Sequence, residues 1–342
     1  MEFIRPLPDA KEIKSKYALS PKQQMARDKI IKELFNILGG VSSKKFLCIG
    51  PCSADREDAV LDYCVRLAEL QEKVKKTLLL IPRIYTSKPR TNSCGYKGLL
   101  HRVNPGDGYD NLYEGILATR KLHWLIINET GLFGADEMLY PEAHYYIADL
   151  LAYTAVGARS VENQQHRLVA SGMDMPVGTK NPTSGDTNVM LNAIQAAQAE
   201  QYLAYHGWEC KTTGNPYAHA ILRGYTDRVG NVFPNYHYEN LCELHDLYVK
   251  KNLKNIGVII DCNHNNSNKH YDEQIRIGQE IFDLCRMSKD INSFVKGLMI
   301  ESYLEDGSQI IGNGIYGKSI TDPCLGWEKT EGFVLSLSEK VY

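Results

Sequence analysis

The sequence predicts a (β/α)8 TIM barrel with an N-terminal helical extension. From Phe46 onward, eight short apolar or β-branched runs alternate with longer segments of helical periodicity. Several of these runs are apolar without alternation, as parallel strands covered on both faces should be. No G-x-G-x-x-G follows the first run, which weakens the rival doubly wound open sheet. With 342 residues, 43% of them hydrophobic, the chain has room for one barrel-sized domain plus an arm, or for two domains. The barrel reading divides it into an extension (1–45) and a catalytic barrel (46–342).

Within the extension, SPKQQMARDKIIKELFNILGG carries helix punctuation. Ser20 caps, Pro21 suits the first helical position, Gln23 completes a capping box and Gly39 supplies the stop. Met25, Ile30, Leu34 and Ile37 fall close to one face, so this helix should pack on its own barrel or on a neighbouring subunit. The eight runs are FLCIG (46–50), LLLIPRIY (78–85), LFGADEM (132–138), VGARSV (156–161), PVGTKN (176–181), AHAILRG (218–224), GVIIDCN (257–263) and VKGLMIES (295–302). Between them, EDAVLDYCVRLAELQEKVKK spaces Val60, Cys64, Leu67 and Val74 as a helix does. NVMLNAIQAAQAEQYLAYHG does likewise with Met190, Ile194 and Ala197. Two connections, 86–108 and 225–240, are long for a barrel and follow strand C-termini, where loops carry function.

Composition narrows the classes of function. Net charge is −2, from 39 basic and 41 acidic side chains, so nothing announces nucleic acid or an anionic membrane. The nine cysteines are scattered and form no C-x-x-C framework, which fits a reducing compartment. MEFIRPLPDAKEIKSKY has no apolar core of a signal peptide, and the expected location is cytoplasmic.

The polar residues that close the eight runs are Cys52, Arg83, Glu137, Arg159, Lys180, Arg223, His264 and Glu301. In a (β/α)8 barrel those ends converge on one mouth. Arg83, Arg159, Lys180 and Arg223 are cations, and SKPRTNSCGYKG adds Lys88 and Arg90. Taken alone, each reads more readily as one half of an ion pair with a neighbouring helix. Together at one mouth they imply a strongly anionic ligand, since arginine forks suit phosphate and carboxylate. Cys52, His264 and Glu301, joined by Asp322, make a mixed donor set for one divalent metal ion, whether Mn, Fe, Co or Zn. For Cys52 alone, a core thiol or a nucleophile activated by His264 are the other readings.

These residues lie in blocks that resemble the type I (α class) 3-deoxy-D-arabino-heptulosonate 7-phosphate (DAHP) synthases. The blocks are IGPCS, RIYTSKPRT with GYKGLLH, GARSVENQQHRLVASGMDMPVGTKN, ILRG with PNY, IIDCNHNNSNK, GLMIESYLEDGSQ and YGKSITDPCLGWEKTE, running in family order from about 46 to 331. The resemblance implies condensation of phosphoenolpyruvate with erythrose 4-phosphate, the first step toward aromatic amino acids. It assigns the metal to Cys52, His264, Glu301 and Asp322. It assigns phosphoenolpyruvate to Arg83, Arg159, Lys180 and Arg223, and erythrose 4-phosphate to Lys88, Pro89, Arg90 and Thr91. Lys88, Glu137 and Lys180 are the expected catalytic groups. A homo-oligomer, dimer or tetramer, is expected from the same resemblance. The alternatives are a sister synthase using arabinose 5-phosphate and a non-catalytic sugar-phosphate sensor on the same barrel.

The chain departs from the family pattern at Tyr96, where Trp is usual, and in NHNNSNK and KNPTSGD. The larger departure is 202–215, YLAYHGWECKTTGN, shorter than in feedback-regulated members. There and around His144 and Asp174 the relatives build an aromatic amino acid inhibitor pocket. The poor match implies weak inhibition, or none, by phenylalanine and tyrosine.

Overall fold

Eight parallel strands form one nearly closed barrel in the computed structural model, which describes residues 1–90 and 94–341. They are β1 (Lys45–Gly50), β2 (Leu78–Pro82), β3 (Ala135–Glu137), β4 (Tyr153–Val156), β5 (Val177–Lys180), β6 (His219–Leu222), β7 (Val258–Asp261) and β8 (Val295–Glu301). Hydrogen bonds link them in the order β2-β1-β8-β7-β6-β5-β4-β3. Every one is buried along its whole length, which explains why the sequence shows apolar runs and no alternation.

The helices are α1 (Ala10–Lys16), α2 (Pro21–Leu38), α3 (Glu57–Val74), α4 (Leu112–Thr130), α5 (Pro141–His144), α6 (Gln164–Ala170), α7 (Thr187–Gln198), α8 (Tyr238–Lys250), α9 (Glu273–Met287), α10 (Lys289–Phe294) and α11 (Trp327–Ser338). The capping box of α2 is present in full: Ser20 Oγ accepts the Gln23 N–H (3.3 Å) and Gln23 Oε1 accepts the Ser20 N–H (2.8 Å). The buried face of α2 differs from the expected one. It presents Arg27, Ile31, Leu34, Ile37 and Leu38, while Met25 is exposed. Arg27 takes a buried place because its guanidinium meets the Leu151 and Ala148 carbonyls and the Asp174 carboxylate. Leu34, Ile37 and Leu38 join Phe46, Cys48, Tyr153, Ala155, Ile221, Ile259 and Met299 in one apolar cluster. The end of α2 thus seals the floor of the barrel, and the interior is packed solid up to the mouth.

Boundaries depart from the sequence reading: β2 ends at Pro82 rather than at 85, and β3 covers only Ala135–Glu137 of 132–138. The fourth strand is 153–156 rather than 156–161. Gly157 starts a turn, closed by the Ser160 N–H donating to the Gly157 carbonyl (2.9 Å), and that turn carries Arg159. The helical stretch expected to run on from 188 stops at Gln198. Tyr202–Tyr205 and Trp208–Lys211 instead form an antiparallel hairpin. His206 (φ 49°) and Gly207 (φ 77°) make its two-residue turn, the left-handed pair such hairpins need. The connection after β3 also lacks a full helix, having only the single turn of α5 and a 3-10 turn at Ala148–Leu150.

The barrel has one weak seam. β2 and β3 meet only at the Arg83–Ala135 bridge. Below it the free edge of β2 is satisfied by a side chain: Gln71 Nε2 donates to the Leu78 carbonyl (3.1 Å) and Gln71 Oε1 accepts the Leu80 N–H (2.6 Å). A buried edge without such partners would be costly.

Two histidines are buried neutral. His219 Nδ1 donates to the Tyr217 carbonyl (2.8 Å), so Nε2 accepts from the Tyr153 hydroxyl (3.0 Å). Burial pushes His219 and His144 down to about 4. The unfolded chain therefore takes up protons that the native state refuses as pH falls from 6.5 toward 4. Stability is expected to drop across that window, each histidine contributing about 2 kcal/mol by pH 5. Urea denaturation at pH 7 and pH 5 checks this, with His219→Asn expected to show a shallower loss than wild type.

Candidate active site

The strand ends open into a cavity of about 300 Å³. Arg83, Lys88, Pro89, Arg90, Glu137, Arg159, Lys180, Arg223, His264 and Asp322 all line it. Cys52 and Glu301 lie beneath, fully buried. Thr91 lies outside the described residues. All the other residues singled out from the sequence therefore gather at one mouth, although they come from separate strands across the chain.

Arg83, Glu137, Lys180, Arg223 and Glu301 stand at or one residue past a strand end, Cys52, Arg159 and His264 in the turns that follow strands, and Lys88, Pro89, Arg90 and Asp322 in longer connections. Gly157 lacks a side chain because a Cβ there would sit 2.3 Å from Glu137 Oε1. A lattice of buried asparagines locks three loops together. Asn181 Oδ1 accepts the Arg223 N–H (2.9 Å) and the Asn235 amide (3.2 Å), and Asn235 Oδ1 accepts the Gly224 N–H (2.7 Å). Asn266 Oδ1 accepts the Asn235 N–H (3.0 Å), while its amide donates to the Leu222 and Asp261 carbonyls. These contacts hold the exits of β5, β6 and β7 in one arrangement. His264 has left-handed backbone (φ 47°), uncommon for a residue with a side chain and a strain that functional sites tolerate.

The donor set gathers on one side of the mouth. Cys52 Sγ and oxygens of Glu301 and Asp322 lie within 4.8 Å of one another. His264 reaches the group from one edge, with Nε2 3.9 Å from Glu301 Oε1. A thiol, two carboxylates and an adjoining imidazole suit a divalent metal. Lys88 Nζ donates to Cys52 Sγ (2.6 Å) and lies 3.1 Å from Asp322 Oδ2, and Lys269 Nζ sits 2.9 Å from Asp322 Oδ1. Cys262 and Cys324 stand outside this cluster.

The charge pattern is set by burial and by these neighbours. Burial pushes the Cys52 thiol up to about 11, with Glu301 adding to the rise and Lys88 opposing it. Burial also acts to raise the Asp322 carboxyl, yet Lys88, His264 and Lys269 hold it far below the usual range. Burial works against the Lys88 ammonium, but Cys52, Asp322 and Glu301 outweigh it and raise its pKa. Arg83 and Glu301 form an ion pair (3.0 Å) with both side chains almost fully covered. Arg83 also donates to the Pro51 carbonyl and lies 3.7 Å over the Tyr85 ring. Asn263 Nδ2 donates to the other Glu301 oxygen (2.6 Å).

Tyr85, Asp261, Asn263 and Lys269 belong to the site but were not singled out from the sequence. Asp261 and Asn263 flank Cys262 in IIDCNH, and their polar character inside an apolar run was the available signal. Tyr96, a departure from the family pattern, is buried with its hydroxyl on the Ala54 and Arg102 carbonyls, and its own carbonyl accepts from Arg90 Nε (2.8 Å). It therefore supports the loop that carries Arg90.

Comparison with known proteins finds relatives along most of the chain. A family model described as the DAHP synthetase I family matches residues 16–334. A phospho-2-dehydro-3-deoxyheptonate aldolase of Haemophilus influenzae is 38% identical, over 90% of this chain and 84% of the relative. The Phe-sensitive aldolase of that name from Escherichia coli K12 is 36% identical, over 91% and 87%. A Francisella tularensis structure with the same enzyme name superposes with a TM-score of 0.92 at 32% identity, covering 100% of this chain and 98% of that one.

Removing one half of the Arg83–Glu301 pair leaves a buried charge uncompensated. Arg83→Met is expected to lower the unfolding free energy by about 3–5 kcal/mol, read by urea denaturation of chelator-treated protein. A change below about 1 kcal/mol would show that the pair does not hold the mouth together.

Proposed function

The chain belongs to the DAHP synthetase I family, and we propose that it is a 3-deoxy-7-phosphoheptulonate synthase, joining phosphoenolpyruvate, erythrose 4-phosphate and water to give DAHP and inorganic phosphate. This is the first step of aromatic amino acid biosynthesis. One observation carries the reading: a cradle of arginines and lysines lines one cavity, and a thiol–carboxylate donor set with an adjoining imidazole meets it through Asp322 and His264.

Arg83, Arg159, Lys180 and Arg223 bind phosphoenolpyruvate in this reading, their cations offsetting its phosphate and carboxylate. Lys88, Pro89 and Arg90 bind erythrose 4-phosphate, with Thr91 assigned there by resemblance. Bringing two phosphates and a carboxylate together is itself the obstacle, and fixed cations remove the repulsion while setting the reacting carbons in line. Cys52, His264, Glu301 and Asp322 would hold a divalent metal, which supplies Lewis-acid polarisation of the aldehyde oxygen when bound. C3 of phosphoenolpyruvate bonds to the aldehyde carbon, and Lys88 donates a proton to the oxygen that becomes a hydroxyl. Water adds at C2, oriented by Glu137, and phosphate leaves with cleavage of its C–O bond. Lys180 steadies the carboxylate end during these steps.

The inhibitor region also supports a finer reading. Tyr145 packs against the His206 ring (centroids 4.1 Å apart), with Lys14 Nζ 3.7 Å from the Tyr145 ring centroid, and Asp174 is engaged by Arg27. With its own side chains in contact there, this enzyme is weakly inhibited or insensitive toward phenylalanine and tyrosine.

A coupled phosphate-release assay tests the proposal. Turnover is expected with erythrose 4-phosphate, not with arabinose 5-phosphate, and should fall to background with chelator and return on adding divalent metal. Product from arabinose 5-phosphate alone would assign the chain to the sister synthase, and full turnover after metal stripping would refute the metal's role. Cys52→Ser is expected to lose metal-dependent activity by a factor of 100 or more, on the order of 3 kcal/mol in the barrier, with a melting temperature near that of wild type.

Adding phenylalanine or tyrosine at 1 mM, on the order of the upper range of ordinary ligand constants, should leave the rate within a factor of two. Strong inhibition by either would overturn the insensitivity reading and leave the synthase assignment standing.

A further inference from the structure

We propose that Asp261 is a positioning residue that aligns the metal-binding imidazole and the phosphoenolpyruvate-binding ammonium on a single carboxylate. The proposal rests on the site reading given above. Asp261 ends β7 and is fully buried. Its Oδ2 lies 2.8 Å from His264 Nδ1 and 3.2 Å from Lys180 Nζ. One oxygen therefore serves a residue closing β5 and a residue in the turn after β7. The other oxygen accepts the Asn263 N–H (3.1 Å), which fixes the plane of the carboxylate.

The geometry assigns each imidazole nitrogen its task. Nδ1 faces Asp261, so the ring proton belongs on that side. Nε2 faces Glu301 at 3.9 Å, so its lone pair is directed at the donor cluster. A carboxylate behind a metal-binding histidine fixes the tautomer and the ring orientation and raises the basicity of the ligand. The contact from Nδ1 to Oδ2 is short but not well angled for a hydrogen bond, so electrostatic attraction rather than directionality carries it. Lys180 is almost fully covered as well, and its ammonium needs a countercharge to remain in place. Asp261 does not itself line the cavity, and it acts through His264 and Lys180 rather than on substrate.

The test uses the full-length protein, stripped with chelator and titrated with Co(II) or Mn(II) against a chromophoric chelator. Asp261→Asn is expected to weaken metal binding 10–100-fold and to raise the Kd for phosphoenolpyruvate in calorimetric titration. Most of kcat should return when metal and substrate saturate, which Cys52→Ser should not permit. Asp261→Glu keeps the charge and is expected to recover part of the metal affinity, and it serves as the test variant if the asparagine protein does not fold. Variants that bind metal as tightly as wild type, even with lowered stability, would overturn the proposal while leaving the site reading intact. Wild-type protein that bound no metal would overturn the site reading and the proposal with it.

Discussion

The ion pair between Arg83 and Glu301 is the constraint around which the mouth is organised. Arg83 immediately follows β2 and Glu301 ends β8, and the two strands lie on either side of β1. Two fully covered charges at this depth hold their positions only if each neutralises the other. That requirement ties the cationic half of the site to the donor half. Pro51 and Tyr85 complete the surroundings of the guanidinium, and Asn263 completes those of the carboxylate.

The same logic repeats outward. Two carboxylates at the mouth are each shared by two basic side chains: Asp261 by Lys180 and His264, Asp322 by Lys88 and Lys269. A cation lining the cavity is thus paired with the acid that also faces the donor cluster or belongs to it. The solid interior beneath, sealed by α2, gives these pairs a rigid base, and the asparagine lattice keeps the exits of β5, β6 and β7 in register with one another.

Much of this was legible in the sequence for a physical reason. A strand covered on both faces must be apolar throughout, so a polar residue at its end stands out, and the barrel topology says where such ends meet. Arg83, Lys180 and Glu301 were readable in that way. Asp261 was not, because a carboxylate one turn before a histidine in IIDCNH looks local until the barrel brings in Lys180 from β5, two strands away. The face of α2 was misread because Arg27 holds a place that hydropathy assigns to an apolar side chain. The 202–211 hairpin was misread because AYHG continues a helical composition, and the left-handed pair His206 and Gly207 turns it back as a second strand. Boundaries moved where turn chemistry, rather than burial, decided the backbone.

The seam closed by Gln71 gives the barrel an uneven mechanical character. β2 is held by a full ladder on its β1 side, and on the other by one bridge and one amide side chain. The free energy of local opening follows the number of such ties. Breathing of the barrel should therefore begin between β2 and β3, with the amide of Leu80 exchanging with solvent ahead of those in the opposite wall. The segment that leaves this strand is the one bearing Arg83, Lys88 and Arg90, so the compliant side of the cylinder is the side from which those three cations reach the cavity.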